Sequence, residues 1–184
     1  MNSRRPSLSS PSAPESWPCA IQTPRLTLRP AEPADVSAFT RLWTDADVRR
    51  FLGGPVAEDQ LAVYQQHFAG HPHLFTVVTR QGTVTLGSVT IDPKSRFDGR
   101  REVSYSFLPE HWGKGYAREA VTAAVSWSFE HVASDDPSVV AVTQEANSRS
   151  RRLLEAIGMR VISTFLEWDA WQVMYAVQSE ELRG

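Results

Sequence analysis

A strand, a glycine pair and a long helix in immediate succession, followed by a second strand, constrain this chain more than anything else in it. Residues 100–108 alternate as a strand does: Val103, Tyr105 and Phe107 share one face, and Glu102, Ser104, Ser106 and Leu108 the other. Gly113-Lys114-Gly115 then opens a helical pattern that runs to about His131. Its stripe of Ala117, Ala120, Val121, Ala124 and Val125 is small enough to lie close against a sheet. Residues 139–143 read as a short buried strand. Such a unit closes as a right-handed parallel crossover, and ligands collect where its first strand meets its helix.

The rest of the pattern is antiparallel in character. Residues 25–29 alternate and form a first strand closed by Pro30. Pro33 suits the first turn of a helix carrying Val36, Phe39, Leu42 and Trp43 on one face. Asp45 caps a short helix through Val48, Phe51 and Leu52, and a third, with Leu61, Tyr64 and Phe68, ends at Gly70. Residues 74–79, 83–92 and 100–108 meander through Gln81-Gly82 and Asp98-Gly99 turns. Asn147 caps a helix over 148–157 with Gly158 just beyond it, and strands 161–168 and 171–177 flank Asp169-Ala170. The prediction is one α/β domain over residues 21–178, a mixed, mostly antiparallel sheet flanked by helices. A disordered tail is expected over residues 1–20 and a short one over 179–184.

Composition narrows the partners. A net charge of −2 leaves no basic excess to displace counterions, which argues against nucleic acid or an anionic membrane as the main partner. No apolar run approaches bilayer length, and residues 1–20 lack the apolar stretch of a secretory signal. The lone Cys19 excludes an intrachain disulfide and suits a cytoplasmic location. No metal site is expected; His71-Pro72-His73 reads as a loop without a third ligand nearby.

The glycine loop is the candidate ligand site. Glycines at a helix start leave backbone N–H groups free for an anion, the helix dipole favours negative charge there, and Lys114 and Arg118 add formal positive charge. A triphosphate loop needs glycine where Leu108 stands and Ser or Thr where Gly115 stands. A dinucleotide fingerprint needs a small residue where Arg118 stands. Both are excluded, which leaves a pyrophosphate cradle or, equally, a tight connection with no ligand.

The run from Glu102 to Ala120, with His111-Trp112-Gly113-Lys114-Gly115-Tyr116-Ala117 at its centre, closely resembles the acetyl-CoA motif of the GCN5-related N-acetyltransferase (GNAT) superfamily. It looks most like the branch of the ribosomal-protein N-terminal acetyltransferases. Thr23 to Pro30 resembles that branch's opening strand, Asn147 to Glu155 its Asn-x-x-Ser helix start, and Ala156 to Met159 the following turn. Trp112 departs from the Gln or Arg that usually begins the loop. The resemblance implies a splayed pair of parallel strands with pantetheine between them. It implies pyrophosphate on the backbone of Gly113, Lys114, Gly115, Tyr116 and Ala117, with Trp112 and Arg118 at the rim. Phe107 and Leu108 would meet the acetyl carbonyl, with the Leu108 N–H as oxyanion donor, and Asn147 would bond the cofactor arm.

Acetyl transfer to an amine also needs a base and an acid. Strand parity places Glu102 in the acceptor cleft as the base; pairing with Arg100 or Arg101 is the alternative. Ser150 matches the family's serine near the departing sulfur, though serine also suits a first helical turn, as Asn147 suits an N-cap. Tyr105 and Tyr116 could each offer a phenol to the thiolate, but Tyr105 is expected to pack in the core and Tyr116 to cover cofactor; Glu119 is expected to be structural. Trp168 and Trp171 offer an acceptor wall. The partners expected are acetyl-CoA and an amine, on a protein N-terminus or a small molecule, in a monomer or homodimer. A catalytically silent acyl-CoA-binding module is the alternative.

Overall fold

The computed structural model describes residues 17–82 and 84–183. The chain forms β1 (Ile21–Gln22), β2 (Leu26–Pro30), α1 (Val36–Thr44), α2 (Ala46–Arg49) and α3 (Glu58–His67). The meander β3 (Leu74–Thr79), β4 (Thr85–Asp92) and β5 (Arg101–Phe107) follows. Then come α4 (Tyr116–His131), β6 (Val139–Gln144), α5 (Ser148–Ala156), β7 (Arg160–Glu167) and β8 (Ala170–Val177). One eight-stranded sheet runs β1-β2-β3-β4-β5-β6-β8-β7, antiparallel except for the β5–β6 pair. The expected α/β class and the parallel crossover are both present.

The two faces of the sheet are filled differently. The small stripe of α4 (Ala120, Val121, Ala124, Val125) is fully buried and lets the helix sit low over β1, β2, β4 and β5. It packs with Leu26, Leu28, Val89, Ile91, Val103 and Phe107, and with Leu154 and Ile157 of the α5 region. A second, smaller cluster of Ala31, Phe39 and Phe68 seats α1 and α3 on the opposite face. Buried Asp35 fastens the start of α1 to that face: it takes both nitrogens of the Arg29 fork, at 2.8 and 2.7 Å, and the Thr76 hydroxyl at 2.8 Å.

Arg101 does not pair with Glu102. It points to the α4 side, where it donates to the carbonyls of Ser128 (2.9 Å), Val132 (3.3 Å) and Asp136 (3.2 Å). A buried cation there binds carbonyls at and just past the end of α4 and answers the helix dipole.

Parts of both expected tails, residues 17–20 and 179–183, are described and make contacts with the domain. Residues 1–16 lie outside the described part. Cys19 is buried, and the Trp17 ring meets Phe75 edge-on with centroids 5.0 Å apart. After β8, Arg183 donates its N–H to the Ile157 carbonyl at 2.9 Å, and Glu181 pairs with Arg160 at 3.1 Å. Short apolar anchors and single ion pairs carry no period, which is why the sequence pattern does not show them.

Candidate active site

The site begins where the parallel pair comes apart. β5 and β6 are paired only at Arg101↔Val139 and Glu102↔Val140. Beyond those residues the strands diverge over a cavity of about 950 Å³, bordered by the glycine loop, the start of α5 and Asp47, Val48, Arg50, Phe51 and Leu52. Ser106↔Ser88 and Phe107↔Gly87 fix the β4–β5 register, and the Leu108 N–H donates to the Leu86 carbonyl at 2.9 Å. Antiparallel alternation therefore sends the N–H groups of even residues to β4 and those of Val103, Tyr105 and Phe107 into the splay. This corrects the expectation for Leu108. It is buried, its N–H is used within the sheet, and it does not border the cavity; Phe107 does.

Two loop glycines hold left-handed conformations, Gly113 at φ 73° and Gly115 at φ 78°, so the loop turns sharply into α4 and presents the first-turn N–H groups to the cavity. Arg25 and Glu119 brace it from behind. Glu119 receives the Thr23 hydroxyl (2.6 Å), the Arg25 N–H (2.9 Å) and the Arg25 guanidinium (2.6 Å). Burial works against the Glu119 charge, but these bonds outweigh it and hold the carboxyl below its ordinary range. Arg25 also donates to the Lys114 carbonyl at 2.9 Å and lies 4.7 Å over the Tyr116 ring. The Lys114 ammonium rests on the Glu110 carbonyl at 2.9 Å, folded onto the loop's own backbone. Gly113, Gly115, Tyr116, Ala117 and Arg118 border the cavity, as does Trp112. A Cβ on Gly113 would meet nothing within 4 Å, so open space faces this part of the loop.

Trp112 ties the loop to both walls. Its indole donates to the Phe107 carbonyl at 2.7 Å, and the Arg149 guanidinium lies 4.5 Å over its ring. That contact spans from the β5 side to the start of α5. Gly87 is a positioning residue the sequence reading passed over. A Cβ there would strike the Ser106 carbonyl and stand 2.8 Å from Phe107 Cα, so β5 approaches β4 as only glycine allows. The signal was present: a glycine inside a strand pattern marks close backbone approach.

Ser150 and Asn147 stand together at the start of α5. Asn147 Oδ1 accepts the Ser150 N–H at 3.3 Å as an N-cap, and both residues border the cavity. The Ser150 hydroxyl lies 2.7 Å from the Tyr105 hydroxyl. For Tyr105, the sequence favours core packing over a phenol offered to the thiolate. Its ring does pack there, but at the splay an odd-numbered side chain reaches past the strand edge to α5. Burial pushes its phenol up to about 12, against the pull of the Ser150 bond, so the hydroxyl stays protonated at neutral pH.

A second cavity of about 550 Å³ lies between α1, α3 and the even-numbered face of β5. Ser104, Tyr105, Ser106 and Leu52 border both cavities, which therefore meet at Tyr105. Glu102 is not on either lining, which corrects its placement in the cleft. It lies two residues before Ser104 on β5, paired in register with Asp92, which does line the smaller cavity. Its carboxylate accepts the Ser95 hydroxyl at 2.6 Å, while Arg100 pairs with Asp98. Burial pushes the Glu102 carboxyl above its ordinary range; the Ser95 bond and Arg96 pull it down less, and Asp92 and Asp98 add to the rise.

The histidines of 71–73 diverge: His71 borders the smaller cavity, and His73 packs edge-on against Trp17 and Trp127. Trp168 and Trp171 are exposed and border neither cavity, so they form no acceptor wall; Arg96 lies 4.7 Å over the Trp168 ring. Among the described residues no helix is long and apolar enough to cross a membrane.

Known proteins share this fold. A family model described as an acetyltransferase (GNAT) domain matches residues 25–160. The uncharacterized N-acetyltransferase YnaD of Bacillus subtilis strain 168 is 27% identical over 173 residues, 88% of this chain and 98% of that protein. The uncharacterized N-acetyltransferase p20 of Bacillus licheniformis is 24% identical over 147 residues, 76% of this chain and 82% of that one. Among solved structures, a GNAT-family acetyltransferase from Bacillus anthracis superposes with a TM-score of 0.76 at 24% identity, covering 89% of this chain and 100% of that one. Spermidine N-acetyltransferase from Vibrio cholerae, solved with CoA and spermine, does so at 0.71 and 20% identity, covering 85% and 96%. With a family model spanning most of the folded domain, the chain belongs to the GNAT acetyltransferases, enzymes that draw their acetyl group from acetyl-CoA.

Proposed function

We propose that this chain is an N-acetyltransferase that moves the acetyl group of acetyl-CoA directly to a primary amine while both substrates are bound. The observation that carries this reading is the meeting of the two cavities at the Tyr105–Ser150 hydroxyl pair. One cavity offers an anion cradle at its glycine end, and the other offers hydroxyls and one carboxylate beneath aromatic helices.

In this reading Gly113 to Ala117 hold the pyrophosphate with backbone N–H groups, and Asn147 bonds the pantetheine arm. The amine lone pair attacks the thioester carbonyl, whose oxygen becomes negative and is met by the Phe107 N–H in the splay. The C–S bond then breaks, and the sulfur takes the Ser150 proton; the Tyr105 phenol reprotonates Ser150 and regains its own proton from solvent in the larger cavity. The proton lost by the amine passes to Glu102 through water along Ser104 and Asp92. A strand rise of roughly 3.3 Å per residue puts Glu102 some distance from Phe107, so no direct transfer is drawn.

Release of free thiol from acetyl-CoA in the presence of an amine panel tests the reaction. Ser150→Ala and Tyr105→Phe should each lower kcat roughly a hundredfold with little change in the KM for acetyl-CoA. The double variant should be no worse than the weaker single one, because the two act through one proton path. CoA binding without thiol release on any amine would overturn the enzyme reading.

Glu102 supplies a pH test. A base works only when ionised, so its contribution to kcat is present above its folded-state pKa and lost as pH falls through it. Because that value is raised, the acid limb should lie above the ordinary carboxylate range. Stability carries the opposite sign: the fold favours neutral Glu102 and loses that contribution as pH rises through the raised value. Glu102→Gln should remove the limb, with kcat down roughly a hundredfold. An intact limb in Glu102→Gln that disappears in Asp92→Asn would move the base to Asp92.

A further inference from the structure

We propose that the acceptor is an amino-carboxylate, an amine with a carboxylate close to it on an apolar or aromatic body, and that Arg49 reads the carboxylate. This rests on the amine-acetylation reading and names the substrate class within it. Arg49 ends α2 and borders the smaller cavity. Its neighbours Val48, Arg50 and Leu52 border the larger one, so Arg49 stands on the side where the two cavities join. Its Nε donates to the Gly54 carbonyl at 2.8 Å and its Nη2 to the Leu52 carbonyl at 2.7 Å. These bonds hold the guanidinium in place through neutral acceptors. Burial lowers its pKa, and among the described residues no carboxylate forms an ion pair with it.

A partly desolvated, fixed guanidinium without a counter-anion beside a cavity is suited to an anionic ligand, and its planar fork favours carboxylate. The rest of the lining agrees. Phe39, Trp43, Tyr64 and Phe68 form an aromatic wall for an apolar body. A polycation finds only Asp92 as a carboxylate on that lining, against Arg49 and two histidines. The spermidine enzyme that shares the fold is therefore a guide to architecture and not to acceptor. The amine then lies near Tyr105 with its carboxylate a short distance away on Arg49.

Matched pairs separate this from a general taste for amines. Thiol release is measured with L-phenylalanine and L-phenylalaninamide, with 4-(aminomethyl)benzoate and its amide, and with 2-phenylethylamine and spermidine. Amidation of an amino acid makes its amine less basic and so more often neutral, so any preference for the free acid has to come from the protein. The acid of at least one pair should exceed its amide roughly ten- to a hundredfold in kcat/KM. Arg49→Gln should shrink that ratio below roughly threefold, mainly through the acceptor KM, while CoA still raises the melting temperature. Arg49→Lys should recover part of the ratio, since charge remains and only the fork is lost. Equal use of acids and amides, spermidine as the sole acceptor, or a ratio unchanged in Arg49→Gln would each overturn the proposal and leave amine acetylation standing. Absence of thiol release with every amine would remove both. Should Arg49→Gln not fold, the wild-type acid-to-amide ratio decides.

Discussion

Replacing Gly115 by glutamate should abolish acetyl-CoA binding, with affinity down by at least a thousandfold in a calorimetric titration. Three effects add at this residue. Its φ of 78° suits glycine and costs an L side chain roughly 1–2 kcal/mol. A Cβ would also stand 3.2 Å from the Arg25 guanidinium, which is held by Glu119 and the Lys114 carbonyl and cannot swing aside freely. The third effect is the largest: the carboxylate enters the mouth of α4, where the dipole and the free N–H groups otherwise attract phosphate, and it competes for them and repels the ligand. Gly115→Ala separates the terms, since it carries the strain without the charge; its loss should be roughly tenfold. Gly99→Glu is the control. It has a similar φ of 77°, open space around a Cβ, and a place in the β4–β5 turn outside both cavities, so CoA affinity should be unchanged. Equal affinity of Gly115→Glu and wild type would remove the loop from the cofactor site.

What the sequence showed and what it hid divide along a physical line. Strand alternation, the small stripe of α4, the glycine loop and the Asn147 cap are local patterns, and each is present in the fold with shifts of a residue or two. The errors lie where two strands part or two elements meet. Parity correctly put Tyr105 on the apolar face, but parity assumes a continuous sheet, and at the splay the missing neighbour lets the phenol reach Ser150 across the gap. The family resemblance implied Leu108 as a donor, yet a one-residue change of register decides whether an N–H faces β4 or the opening. That register is seen only in the pairing with β4, where Gly87 lets the strands approach closely. Glu102 has the expected parity and the wrong depth, because nothing local tells how far along β5 the helices α1 and α3 cover the sheet. Arg49 had no motif at all; the meaning proposed for it comes from a guanidinium held by two backbone carbonyls and, among the described residues, ion-paired with no carboxylate.

Gly87→Val is the substitution that should damage the site most without touching its chemistry. The new Cβ would meet the Ser106 carbonyl, Phe107 Cα at 2.8 Å and Phe107 Cδ1 at 2.9 Å. Two of those three atoms are backbone, so no rotamer relieves the clash; β5 has to move away from β4, or the strand has to twist. Overpacking of this kind costs roughly 1–3 kcal/mol in a deformable core, and a backbone contact should sit at or above the upper end. For a domain of this size a loss of about 3 kcal/mol lowers the melting temperature by roughly 6–12 °C. The functional loss should exceed what stability alone gives. Movement of β5 at Phe107 re-aims its N–H in the splay and pulls on the Trp112 indole that its carbonyl holds at 2.7 Å. The folded fraction of Gly87→Val should therefore bind acetyl-CoA at least roughly tenfold more weakly and turn it over at least roughly a hundredfold more slowly. A core substitution of matched stability loss away from the opening, such as Val177→Ala on β8, should lower the melting temperature while leaving kcat per folded molecule near wild type. If both variants lose activity alike, the spacing of β4 and β5 serves the fold alone, and the Phe107 N–H is not the group that meets the developing charge.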